Sequence, residues 1–303
     1  LNICVEELVA GHFPYHVKTF QGNLPTPFPG SVLLAIPFVL AGTSAYQNFF
    51  WLSVFFWRFC VYFGDPRRAL LICGTMLCLS PVMMWEILSG SDLLSNNLFV
   101  LISVFEVIRR IPDQTQPLWK KILVSLFLGV SLSSRPTFFG YLPLVAAYLA
   151  KKTDLLHACK YVGLIGLAFF SITLPFYLFD PAGFTPAHTG NIFWSLNTLF
   201  PAAASIIFVT LILATLAAMW IIYRNPGCVF TCMAGLQALS FGWMLVLVLH
   251  SGPINIPVFN NQGIEYLVVP YYHMIGYGVN MQVPGLFAFF MAKYAEEVKS
   301  SYV

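Results

Sequence analysis

Long apolar runs alternate with short polar gaps along nearly the whole chain. The runs fall at about 30–45, 47–63, 69–88, 93–108, 119–135, 136–150, 156–179, 198–222, 227–249 and 268–291. A bilayer-spanning helix needs roughly 20 apolar residues, with a range of about 17–25. The pattern predicts an all-α, polytopic transmembrane helical bundle. Residues 1–46 form an external loop with an interfacial helix, and residues 47–303 form the transmembrane domain of about nine spans.

The gaps differ in charge. Arg67 and Arg68, then Arg109, Arg110, Lys120 and Lys121, then Lys151, Lys152 and Lys160, then Arg224, and last Lys293 with Lys299 fall in every second gap. The gaps near 89–92, 180–197 and 250–266 carry no Lys or Arg. Cytoplasmic loops of membrane proteins carry the excess of Lys and Arg. The alternation therefore puts 109–121, 151–160, 224–226 and the C-terminus in the cytoplasm, and 89–92, 180–197 and 250–266 outside. Lys18, Arg58 and Arg135 break the pattern. Arg58 either snorkels to the nearby cytoplasmic face or pairs with a lipid headgroup or an acid.

Composition agrees. The chain is 58% hydrophobic and 9% charged, with mean hydropathy +0.78, whereas soluble domains carry about 25% charged residues. The net charge of +3 says nothing of nucleic acid, because the cations are orientation signals in loops rather than a basic face, and no nucleic-acid partner is expected. Cys60, Cys73, Cys78, Cys228 and Cys232 lie within apolar runs, and no CxxC pair occurs. Buried, inert thiols fit better than disulfides or a zinc site.

Residues 30–45 can be read as a span or as an interfacial or re-entrant helix. Pro29 and Gly30 open the run, Pro37 interrupts it, and no cation flanks it. These features favour the interfacial helix. The preceding segment, EELVAGHFPYHVKTFQGNLPTPFPG, is rich in aromatics and turn formers, as an ordered loop folded over a membrane cavity would need.

Ionisable groups inside or at the edge of the membrane are costly and are functional candidates. Asp92, in SGSDLLSNN, is a ligand for a divalent metal or donor phosphate, or an N-cap of the run at 93–108; both can hold. Glu86 precedes it by six residues and either joins it in binding a cation through oxygen ligands or faces water at a helix end. Arg135, in SLSSRPTFFGYLP, sits on the side opposite the other basic gaps. Its fork suits a phosphate, and the alternative is snorkelling to external headgroups. His188, in the loop with Asp180, and Glu265 are further candidate substrate contacts with low specificity. No metal or cofactor is firmly implied.

Several stretches resemble the GT-C glycosyltransferase superfamily, in particular its protein O-mannosyltransferase-like and lipid A aminoarabinose transferase-like branches. They are PTPFPGSVLLAIPFVLAG, a span running to RRALL, LSPVMMWEILSGSDLLSNNLFV, and SLFLGVSLSSRPTFFGYLPLV. Asp92 matches the acid that opens a helix after an SP-ended span, and Arg135 matches the cation before Pro. EYLVVP resembles the late RYxxP element, with Glu265 where Arg often stands. The resemblance implies sugar transfer from a polyprenyl-phosphate donor on the extracytoplasmic face, with Arg135 and Asp92 near the donor phosphate. It also implies a catalytic Asp in the first external loop, expected upstream of Leu1 and so missing from the chain as given. A transporter or flippase of a lipid-linked substrate, or a non-catalytic scaffold, is the competing class.

The alternation makes a direct prediction. Single cysteines introduced at 109–121 and at 250–266 should label from opposite sides of the membrane. Labelling from the same side would end the nine-span reading.

Overall fold

The computed structural model describes residues 1–19, 22, 24–188, 197, 201–251, 254–260 and 263–269, with 285, 286, 288 and 291. Most of the run at 268–291, the C-terminus and most of 189–200 lie outside the described residues. The protein is helical, with one addition. An antiparallel hairpin, β1 (Ile254–Asn260) and β2 (Gly263–Val269), sits in the connection that was expected to be a plain external loop.

Two short helices come first, α1 (Asn2–Val9) and α2 (Pro29–Leu40). Cys4 and Val5 of α1 pack against Val32 and Ala35 of α2. At 1.5 Å per residue, the 12 residues of α2 extend about 18 Å, against a hydrocarbon core of about 30 Å. By length alone the helix is too short to cross.

Next come α3 (Tyr46–Phe63), α4 (Pro66–Leu79) and α5 (Pro81–Ser89). Local chemistry sets their limits. Gly64 takes a left-handed conformation and stops α3, which glycine does without steric cost. Asp65 then accepts the Arg67 amide at 2.9 Å and opens α4, with Pro66 in the first turn. Ser80 caps α5 in the same way ahead of Pro81. A serine cap followed by proline is a strong helix start, so the run at 69–88 is two helices meeting at 86° and not one straight span.

The remaining helices are α6 (Leu93–Arg110), α7 (Leu118–Leu132), α8 (Tyr141–Lys152), α9 (Leu155–Phe179), α10 (Ala203–Arg224) and α11 (Val229–Ser251). A 3₁₀ turn, Pro136–Gly140, links α7 to α8. Helix α6 is the centre of the bundle, buried from Leu94 to Val107. Trp51, Phe55 and Phe59 of α3, spaced four apart, pack on its Phe99 and Phe105, as i, i+4 spacing on one helix face allows.

Helices α9 and α10 are long and apolar enough to cross a membrane, and the α4–α5 pair adds a third candidate if it is one broken span. The outer faces of α9 and α10 expose Leu167, Phe170, Leu174 and Leu178, and Phe208, Ile212, Leu213 and Trp220. Continuous apolar exposure of this kind marks a surface that meets lipid or protein.

The two ends of the bundle differ. Arg109 and Arg110 end α6, Lys120 and Lys121 begin α7, Lys151 and Lys152 end α8, and Arg224 ends α10. Contacts place these at one end: Lys121 donates to the Ile111 carbonyl at 3.0 Å, and Lys151 lies over the Tyr223 ring. Asp92, Arg135 and Asp180 gather at the other.

Two glycines let helices meet backbone to backbone. A Cβ on Gly30 would lie 2.3 Å from the Val130 carbonyl oxygen, and one on Gly129 would lie 2.4 Å from that of Ile165. Gly30→Ala should therefore destabilise by roughly 1–3 kcal/mol, as overpacking does. Gly74, with open space at its Cβ, should instead gain up to about 1 kcal/mol as Ala. Thermal melting of the two variants checks the contrast.

Candidate functional site at the Asp92 end

The site forms where α2 begins, α6 begins and α7 ends. The α2 start is tied to the α7 end by backbone bonds: the Phe28 amide donates to the Ser134 carbonyl at 3.1 Å and the Gly30 amide to the Ser133 carbonyl at 2.8 Å. Ser133 in turn shares a 2.8 Å hydroxyl bond with Thr173 of α9. Pro136 follows immediately and turns the chain, so Arg135 is held in extended backbone at the junction.

Arg135 reaches across to Asp92. Its Nη2 donates to both carboxylate oxygens, at 2.8 and 2.9 Å. The side chains are 19% and 12% exposed, so this is a largely buried pair. Asp92 Oδ2 accepts from the Ser31 hydroxyl of α2 at 3.1 Å and from the Asn96 side-chain amide at 2.9 Å, and the Ser31 hydroxyl also lies 3.3 Å from Asn96 Oδ1. Burial works to raise the Asp92 carboxyl, but the Arg135 guanidinium, the N-terminal ammonium and the Asn96 amide together hold the group below the usual carboxylate range.

Two expectations change here. Asp92 occupies the N-cap position of α6, yet its carboxylate makes no capping bond; it turns to Arg135 because a buried charge gains more from an opposite charge than from an amide. Arg135 does not snorkel away: Nη1 lies 3.4 Å from Thr26 Oγ1, and Nε is buried without a partner among the described residues.

Glu86 does not face water. It is 4% exposed; the left-handed Gly90 ends α5 and turns the chain into α6, on which α5 packs. Asn48 of α3 fixes this turn, donating to the Glu86 carbonyl at 3.2 Å and the Ser91 carbonyl at 2.8 Å, while Ser95 bonds the Asn48 side chain. Glu86 Oε2, both amide atoms of Gln47 and Trp51 Nε1 are buried without partners among the described residues. Among the described residues, no group of three or more His, Cys, Asp or Glu is placed to hold a metal ion. His188 ends a 3₁₀ turn, Thr185–His188, and Glu265 lies opposite Val258 in the hairpin; their side chains lie outside the description.

The N-terminal segment covers this end. Tyr15 packs edge-on against Phe176 and Phe184, Phe13 stacks on Phe179, and Phe28 meets Phe184. Thr185 donates to the Pro25 carbonyl at 2.5 Å. His16 Nε2 and Asp180 Oδ2 are 2.6 Å apart.

At the opposite end, Arg58 is 8% exposed and pairs with Glu106 of α6 rather than snorkelling. Arg110 holds the second Glu106 oxygen. Glu106 was missed in the sequence. Its signal was a lone acid within an apolar run, as Arg58 is a lone cation within another.

A scan against family models and searches of curated proteins and of solved structures found no match for this chain.

The His16–Asp180 contact should respond to acid. The bond from His16, then the Gly183 amide, lowers the Asp180 carboxyl. A lowered carboxyl stabilises above its unfolded value, near 3.9, and loses that contribution as pH falls through its folded value. Hydrogen exchange in residues 12–18 should accelerate below about pH 4. In Asp180→Asn it should already be fast at neutral pH and change little with acid.

Proposed function

We propose that this chain is a multi-pass membrane protein of GT-C glycosyltransferase type. It acts on a polyprenyl-phosphate-linked sugar at the extracytoplasmic face, and its basic connectors and C-terminus lie in the cytoplasm. The charge alternation, the lipid-facing surfaces of α9 and α10 and the gathering of basic residues at one end support the orientation. The observation that carries the functional reading is the Arg135–Asp92 pair. It is a largely buried arginine fixed at the end of the bundle opposite the basic ends of α6, α8 and α10. In this reading Asp92 aims the guanidinium, and the arginine's remaining donors take the donor phosphate; Glu86 and Gln47 supply unpaired polar atoms for sugar hydroxyls. The reading assigns donor binding, not catalysis, to these residues.

The test must separate binding from stability. Removing one partner of a buried pair costs about 3–5 kcal/mol, whereas replacing both with apolar residues is often neutral. The double variant Arg135→Met with Asp92→Leu should therefore melt near the wild type, while Arg135→Ala melts lower. A charge-assisted hydrogen bond contributes roughly 1.5–3 kcal/mol, so the folded double variant should bind a polyprenyl-phosphate sugar about 10- to 150-fold more weakly. Arg135→Lys should recover only part of the affinity, since a point charge does not reproduce a fork. Wild-type affinity in the folded double variant would remove the phosphate role and leave the pair a structural clamp.

A further inference from the structure

The basic end of the bundle carries a second feature. Helices α8, α9 and α10 enclose an apolar groove of about 460 Å³, walled by Ala147, Ala150, Ala158, Val162, Trp220 and Tyr223 among others. The small side chains of α8 and α9 leave the space open, and α10 closes one wall with two aromatic rings. Those rings bear the cations. The Lys151 ammonium lies 5.1 Å from the Tyr223 ring centre, and the Arg224 guanidinium 4.6 Å from that of Trp220. Lys152 and Lys160 are exposed close by in sequence, on the same helix ends. The acid among them, Asp154, is engaged in capping α9 and in its contact with His157.

We propose that this groove seats one acyl chain of an anionic phospholipid, with the headgroup held by Lys151 and Arg224. Each half of the ligand has its counterpart. The apolar floor accepts a chain because burying methylene groups is favourable. The rim is cationic on three helix ends, and cations beside a membrane surface select anionic lipid. Stacking on Tyr223 and Trp220 holds the two charges at the groove edge, where a chain lying in the groove would place its phosphate. Leu155 and Leu156, 70% and 80% exposed beside the groove, continue the apolar surface toward surrounding lipid. The inference rests on the protein residing in a membrane and not on the glycosyltransferase reading, and no residue of the Arg135–Asp92 site enters it.

The experiment is lipid retention by the full chain, purified in detergent and probed by native mass spectrometry with added phosphatidylserine or phosphatidylcholine. The wild type should retain phosphatidylserine preferentially. One Lys or Arg near an anionic surface contributes about a fivefold preference, so Lys151→Gln with Arg224→Gln should weaken phosphatidylserine retention about 30-fold. Phosphatidylcholine retention should change little. Ala150→Phe, which fills the groove and leaves the charges, should expel both lipids; melting temperature reports whether each variant is folded. Equal retention of the two lipids by the wild type would overturn the proposal. So would wild-type phosphatidylserine retention in the charge variant, or in a folded Ala150→Phe protein.

Discussion

A charge taken out of water must find an opposite charge, and α6 meets this requirement twice. Asp92 at its start is held by Arg135 from beyond α7, and Glu106 near its end is held by Arg58 of α3. Fourteen residues separate the two acids, about 21 Å along the helix. Apolar packing in this bundle is plentiful but weakly directional, because many rotations of α6 would bury as much Leu and Phe. The two pairs, with Asn48, Ser95 and Asn96, select one rotation and one depth. The order of the neighbours follows: α3 and α7 must flank α6, and α2 must settle where Gly30 and Ser31 fit between α7 and Asp92.

The same residues show how much the sequence disclosed. The helical class, the division into ends and the start of α2 at Pro29 follow from apolar run lengths, the spacing of Lys and Arg, and the proline itself. Asp92 and Arg135 stand out because each is a charge at the edge of an apolar run, and the fold brings them together although 43 residues separate them. Three features were hidden. The right-angle break at Ser80 and Pro81 lies inside an unbroken apolar run, where only the capping chemistry marks it. The burial of Glu86 comes with the packing of α5 on α6, which is a tertiary event. Arg58 and Glu106 each look like isolated anomalies, because a single sequence does not reveal which two helices will be neighbours.

The cover of the Asp92 end depends on a different balance. Aromatic rings carry it, with one exposed polar fastening, His16 to Asp180, and one buried, Thr185 to Pro25. Edge-on ring contacts add only about 0.5–1.5 kcal/mol each beyond burial. A cover made this way can lift without disturbing the helices below, which keep their own backbone tie between Gly30 and Ser133. The Arg135–Asp92 pair is held separately, by Ser31, Asn96 and Thr26.

The central helix also constrains how the protein is made. With Ser95, Asn96, Asn97, Ser103 and Glu106 along its length, α6 is a poor candidate to enter lipid alone, since polar and charged residues near a helix centre oppose insertion. Arg58 has already been synthesised when Glu106 leaves the ribosome, so the basic end can be neutralised at once by its predecessor. Asp92 has no such predecessor: its partner emerges only after all of α7. In the multi-pass reading proposed above, the helix would have to stay at the insertion machinery, or shield its leading acid there, until a later hairpin arrives. Pairing along α6 is thus sequential at one end, where Arg58 precedes Glu106, and deferred at the other, where Asp92 precedes Arg135.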